Sequence, residues 1–155
     1  NPRSGKTETW DGSSWTEVAD LNTNRNGLGG AAEGSESAIA FGGSTPSATA
    51  NTETWNGTAW TEVNNLNTAR TEVGTGGGTT NSVMCVGGGN PPGIQTESWN
   101  GNSWTEVADM AKARVNFGQA GAGTVSVIAM AGGSSPEVQT EEFTGGLALS
   151  TVTVS

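Results

Sequence analysis

The sequence contains no histidine and no tyrosine, a single cysteine, and only six lysine and arginine residues together. Without histidine there is no Ser-His-Asp or Cys-His arrangement and no imidazole metal site. One thiol can neither close a disulfide within the chain nor build a zinc cluster. That thiol, Cys85, sits in the run Val83-Met84-Cys85-Val86 and reads as a small buried apolar residue. Fifteen acidic residues against six basic ones give a net charge of −9, which arises from scarce bases rather than from an acidic run. Such a surface repels phosphate backbones and argues against a nucleic-acid partner. No stretch of about 18 apolar residues is present, so no membrane-spanning helix is expected, and no signal-peptide pattern opens the chain. The Asp-x-Asp spacing of a calcium loop is absent as well. No cofactor is implied.

What the chain does contain is glycine (25 of 155 residues), six tryptophans, and a bulk of Thr, Ser, Asn and Ala. Gly, Asn and Thr disfavour helices and populate turns and strands, so the first inference is an all-β fold. The length suits one domain with one real core.

Self-similarity organises the sequence. Thr7-Glu8-Thr9-Trp10 recurs as Thr52-Glu53-Thr54-Trp55, as Thr96-Glu97-Ser98-Trp99, and weakly as Thr140-Glu141-Glu142-Phe143, a period of 44 to 45 residues. Five residues beyond each Trp a second one opens Trp15-Thr16-Glu17-Val18, Trp60-Thr61-Glu62-Val63 and Trp104-Thr105-Glu106-Val107. Ten residues further on lie Arg25, Arg70 and Arg114. A glycine-rich stretch follows, then a short apolar run ending in Gly42-Gly43, Gly87-Gly88 or Gly132-Gly133. The resulting units are a half unit 1–24 and units 25–69, 70–113 and 114–155.

Each unit predicts four short strands. The first is glycine-rich (Gly27 to Gly34, Gly74 to Thr80, Gly118 to Thr124). The second is apolar (Ala38 to Phe41, Val83 to Val86, Val127 to Ala131). The third and fourth flank Asp11-Gly12, Asn56-Gly57 and Asn100-Gly101. An Asn-Gly or Asp-Gly pair between β-prone runs signals a hairpin, since a type I′ turn needs positive φ at both positions. With a two- or a four-residue loop alike, Trp55 and Trp60 fall on one face, and Thr54, Ala59, Thr61 and Val63 on the other. Sheets with both faces partly apolar call for further sheets stacked on each side, the condition met between propeller blades.

These landmarks resemble kelch repeats: a Gly pair after an apolar strand (Phe41-Gly42-Gly43), an aromatic twelve residues later (Trp55), a following Trp (Trp60), and an Arg before the next glycine-rich strand (Arg70). The resemblance runs from about Lys6 to about Gly145. It departs from the family in placing Trp where Tyr is usual, in the close Trp-to-Trp spacing, and in its richness in Asn, Thr and Gly. It implies antiparallel four-stranded blades of a β-propeller. The alternative architecture is a β-trefoil, also built of three four-stranded repeats. The chain holds about three and a half units, whereas a propeller uses about four to eight. It is therefore expected to be a C-terminal piece of a longer array, or one of several chains that complete a ring together. A first residue other than Met (Asn1) and a worn last repeat (Leu147 to Val154) fit that expectation. The unit Thr-Glu-Thr-Trp-Asn-Gly-Thr-x-Trp-Thr-Glu-Val also resembles repeats of tail-fibre and appendage proteins of phages and marine bacteria.

Candidate chemistry resolves into structural roles. Kelch-type copper oxidases use Tyr and His ligands, and this chain has neither. Glu8, Glu53 and Glu97 recur in phase, as do Glu17, Glu62 and Glu106, whereas a catalytic carboxylate pair is used once per site. Gly74-Thr75-Gly76-Gly77-Gly78 lacks the Lys and the helix of a phosphate loop and reads as a strand. The chain is thus expected not to be an enzyme. Trp10, Trp55, Trp99 and Trp15, Trp60, Trp104 are expected to fill cores between sheets, although Trp also stacks on sugar rings. Arg25, Arg70 and Arg114 could ring an acidic ligand, but are expected to pair with the in-phase Glu of the Thr-Glu-Thr-Trp motif. Asn56-Gly57-Thr58 matches a glycosylation sequon, yet its counterparts do not, so it is read as a turn.

What varies between units is the loop after each Gly pair: Ser44 to Asn51, Gly89 to Gln95, and Ser134 to Gln139. Loops on a rigid frame are where ligands bind. The candidate binding residues are Ser44, Thr45, Pro46 and Ser47; Asn90, Pro91 and Pro92; and Ser134, Ser135 and Pro136. The expected role is a non-enzymatic structural or binding module of a virion or cell-surface appendage. It would meet a host-surface glycan or protein receptor, and other copies of itself or other virion proteins. The alternative is an intracellular kelch adaptor that docks a protein in the cytoplasm.

Overall fold

The computed structural model describes residues 3–89, 93–121, 126–130, 140–144 and 147–152. All regular structure among them is antiparallel β. A two-stranded sheet comes first, β1 (Thr7–Trp10) with β2 (Trp15–Val18). Three four-stranded meanders follow, each contiguous in sequence. They are β3 to β6 (Gly29–Gly34, Ser37–Phe41, Thr52–Trp55, Trp60–Val63), β7 to β10 (Gly74–Thr79, Ser82–Val86, Thr96–Trp99, Trp104–Glu106) and β11 to β14 (Gly118–Gly121, Ser126–Met130, Thr140–Thr144, Leu147–Val152). A trefoil would close strands into a barrel; the described sheets remain open.

Gly74 to Thr79 is a strand, as its sequence suggested, and the glycines let successive sheets approach. A Cβ on Gly29 would stand 2.6 Å from Phe41 and 2.8 Å from Thr75 of the next sheet. Accordingly, Gly30 N donates to Thr75 Oγ1 at 3.2 Å, and β7 lies beside β3 on one side and β11 on the other.

The apolar strands explain why the cores lie between sheets. Successive side chains of a strand point to opposite faces. In β8, Val83 and Cys85 therefore join Ile39, Phe41, Leu66, Trp99 and Trp104 in one core, while Met84 and Val86 join Met110, Val127, Ala129 and Phe143 in another. The sheet β7–β10 is thus covered on both faces. Cys85 has no exposed surface, and burial pushes its thiol up to about 12, so it behaves as the apolar residue its neighbours suggested.

The hairpin turns take a form that the Asn-Gly signal alone does not specify. Trp55 pairs directly with Trp60, Trp99 with Trp104 and Trp10 with Trp15, leaving a four-residue connection each time. Only the glycine adopts positive φ (Gly57, +90°), so the turn is not type I′. The Asn contributes its side chain instead: Asn56 Oδ1 accepts from the Thr58 and Ala59 amides, both at 3.0 Å. Asn100 repeats this with Asn102 and Ser103. Asn56 of the sequon is a turn residue.

Candidate binding surface

The loops are held from beneath by a buried ionic latch. Arg25, in the segment between β2 and β3, reaches Glu53 on β5 (Nη2 to Oε1, 3.1 Å), and both side chains are buried. Arg70 binds Glu97 at 2.7 Å and Arg114 binds Glu141 at 3.2 Å in the same way. The expected in-phase partners are thus the observed ones, and no ring of free cations exists at these three positions. Burial alone pulls the Arg25 guanidinium below its ordinary value, and Glu53 opposes that pull.

The first two latches each tie three segments together. Arg25 Nη1 also donates to the carbonyls of Gly42 (3.0 Å) and Asn51 (2.6 Å), the two ends of the loop that follows β4. Arg70 does the same with Gly87 and Gln95. The second carboxylate oxygen faces the preceding sheet's connection: Glu53 Oε2 accepts from Asn22 N and Nδ2, and Glu97 Oε2 from Asn67 N and Nδ2. In the last unit Ala111 stands at this position and keeps only the backbone bond to Glu141, at 2.6 Å. The Gly pair completes the joint. Gly42 and Gly43 have φ of +66° and +100°, and Gly43 N donates to the Arg70 carbonyl at 2.8 Å. A Cβ on Gly42 would come within 2.8 Å of that carbonyl, so only glycine fits.

On this base sits the first candidate loop. Ser44 N bonds Asn26 O, Thr45 N bonds Ser47 O, Ser44 Oγ bonds Pro46 O, and Thr49 N bonds Gly43 O. Pro46 (after a cis peptide) and Ser47 are exposed, while Ser44 and Thr45 are half-buried. Asn90, Pro91, Pro92, Ser134, Ser135 and Pro136 lie outside the described residues, as does Gly132-Gly133. The flanks of the second loop repeat the first: Gly88 N donates to Arg114 O, and Met110 N to Ile94 O, as Leu66 N does to Ala50 O.

The tryptophans divide. Trp55, Trp99 and Trp104 are buried, with indole N–H groups donated to Ser35 O, Thr80 O and Thr52 Oγ1. Trp60 is half-buried and donates to Thr7 Oγ1. Trp10 and Trp15, expected in a core, are instead 48% and 65% exposed, 5.5 Å apart between ring centroids. Their sheet has two strands where the others have four, so less of the molecule covers them. Within its own hairpin, Trp10 lies at the opposite end of β1 from the side on which the candidate loops join the other sheets.

Sequence reasoning missed two contributors. The asparagines at 22 and 67 stand three residues before the latch arginines, and that phase could have flagged them. Thr7 and Thr52, which accept from the Trp of the next sheet, carry no distinguishing signal, because Thr is common throughout. Among the described residues no three His, Cys, Asp or Glu side chains come together as a metal site would require, and no helix is long and apolar enough to cross a membrane. No protein-family model matches the chain, and no curated protein matches it.

Proposed function

We propose that the protein is a non-enzymatic attachment module: an array of kelch-like propeller blades that presents its post-Gly-pair loops to a host-surface glycan or protein, as part of a virion or cell-surface appendage. The observation that carries this reading is the burial of the three Arg–Glu latches. Their charged groups are engaged inside the scaffold, and the first two latches each grip both ends of a loop that differs from unit to unit. A constant frame with varied loops is the arrangement that recognition proteins use. Successive four-stranded meanders with cores between them support the propeller reading.

The test is binding of the fluorescently labelled protein to a glycan array and a panel of bacterial cells. Saturable binding to a restricted set is expected, and it should vanish when the segments 44–48, 89–93 and 134–138 are replaced by Gly-Ser linkers that leave the strand signal unchanged in circular dichroism. Attachment that survives the replacement would remove the loops from consideration. A folded protein that binds nothing would leave a purely structural role.

A further inference from the structure

Two of the hairpin turns hold a chemically reactive pair. The carboxamide of an asparagine can be attacked by the backbone nitrogen of the next residue, and glycine, with no side chain, hinders the attack least. The chain contains three Asn-Gly pairs: Asn26-Gly27, Asn56-Gly57 and Asn100-Gly101.

The turns at 56 and 100 present the groups that this reaction uses. Asn56 and Asn100 are exposed, so water reaches both. Asn56 Oδ1 accepts from Thr58 N and Ala59 N, both at 3.0 Å, and Asn100 Oδ1 accepts from Asn102 N at 3.0 Å and Ser103 N at 2.9 Å. Oδ1 takes up negative charge when Cγ is attacked, and two fixed amides aimed at it lower the cost of that charge. The Gly57 and Gly101 amides have no acceptor among the described residues, which leaves them available as nucleophiles. Asn26 is the contrast. It is half-buried, and its backbone N–H and C=O are both paired with Ser44, at 3.4 and 2.9 Å, so the peptide leading to Gly27 is held in a β-bridge.

The first hairpin shows what the turn does with the product. Asp11 stands where Asn56 and Asn100 stand, and its Oδ1 accepts from Ser13 N and Ser14 N at 2.7 and 2.8 Å. These bonds are shorter than those to Asn56, as expected when the acceptor is ionised.

We propose that Asn56 and Asn100 are sites of spontaneous deamidation, and that the turn directs each to aspartate rather than to isoaspartate. Gly57 N loses its proton to solvent and bonds to Asn56 Cγ. The Cγ–Nδ2 bond breaks, the side-chain nitrogen leaves as ammonia, and a succinimide ring closes. Water then adds to Cγ, the bond from Cγ to Gly57 N breaks, and that nitrogen regains a proton. The original peptide bond stays intact beside a new carboxylate. The balance is one water consumed and one ammonia released. Opening at the backbone carbonyl instead would give isoaspartate, with one more atom in the chain between the paired Trp55 and Trp60. The Thr58 and Ala59 amides sit at the Cγ oxygen and therefore favour opening at Cγ. Asn100 follows the same course with Gly101, and each conversion adds one negative charge to its hairpin.

The test incubates the full chain, folded or in urea, in mildly alkaline buffer made with heavy-oxygen water. Peptides are then read by mass spectrometry, with an endoproteinase that cleaves before aspartate but not before isoaspartate. In the folded chain Asn56 and Asn100 should convert at least about tenfold faster than Asn26, with the label incorporated and aspartate as the main product. In urea the three rates should converge and the isoaspartate share should rise. Thr58→Pro deletes one of the two amides, so it should slow Asn56 and raise its isoaspartate share, with Asn100 of the same molecule as the reference. Where that variant does not fold, the comparison of folded chain with urea decides. Asn56→Asp/Asn100→Asp should keep the melting temperature of the starting protein. The proposal is overturned if folded Asn56 and Asn100 convert no faster than Asn26, or if they give the isoaspartate share found in urea. A lowered melting temperature in the double variant also overturns it, because the turn would then reject the product.

Discussion

Arg70 and Glu97 show how much one pair can matter in a chain with few charges. The pair is buried on both sides, with Arg70 Nη2 at 2.7 Å from Glu97 Oε1, and the carboxylate also accepts from Thr68 N and from Asn67 N and Nδ2. Taking two charges out of water is costly, and the surrounding hydrogen bonds offset that cost only while both partners remain. Glu97→Gln is therefore expected to destabilise the fold by about 3–5 kcal/mol, because it leaves the guanidinium buried and uncompensated. The exposed Lys6–Glu17 pair has the same 2.7 Å separation but sits in water, with side chains 64% and 57% exposed. Lys6→Ala should cost far less, because an exposed ion pair is screened by water. Urea unfolding of the two variants decides the matter: equal midpoints would mean that the latch is not an anchor. In the double variant Arg70→Met/Glu97→Leu the loss should be smaller than the sum of the single losses, since no charge is left stranded.

The hairpin is the element in which a small sequence difference has a testable consequence. Where the second and third hairpins use Asn56 and Asn100, the first uses Asp11, whose carboxylate accepts from the backbone and hydroxyl groups of Ser13 and Ser14 at 2.7 to 3.1 Å. The Ser14 and Ser13 amides hold this carboxyl well below the usual carboxylate range. A depressed folded-state pKa contributes stability above the unfolded value of about 4, and that contribution is lost as pH falls through the folded value. On acidification below about pH 4, the coupled-indole circular dichroism of Trp10 and Trp15 should weaken, and Asp11→Asn should flatten that response. An unchanged acid response in Asp11→Asn would place the titration elsewhere. The Asp-Gly and Asn-Gly pairs were legible as turns because they interrupt β-prone runs. Their geometry was not, because the same dipeptide serves a type I′ turn through its backbone or a longer turn through its side chain. Likewise the phase of Arg25 and Glu53 was visible in the repeat, and so was their pairing. The exposure of Trp10 and Trp15 was not, because periodicity reports equivalence of position and says nothing of how many strands surround it.

At the scale of the whole molecule, stability should follow neighbours rather than a single centre. The four-strand repeat and the stacking of sheets were readable from period and alternation, since β8 is apolar at four successive positions and must be covered on both faces. Whether the varied loops meet a ligand was not readable, because loop composition does not encode a partner. In a linear array each unit's stability is its own plus that of its interfaces. The sheet β7–β10 has a core on either side, β3–β6 shares Ile39 and Phe41 with one of them, and β1–β2 contributes no residue to either. Native-state hydrogen exchange should therefore be slowest in β8, intermediate in β4, and fastest in β1 and β2. Phe41 stands between sheets with its ring 4.9 Å from that of Trp104, so Phe41→Ala should cost about 3–5 kcal/mol at that junction. The effect should appear as faster exchange in β4 and β8, with a smaller change in β12, which packs through the separate core of Met84, Val86 and Val127. Equal acceleration of β4, β8 and β12 would mean that the sheets open as one cooperative unit, and the nearest-neighbour description would fail.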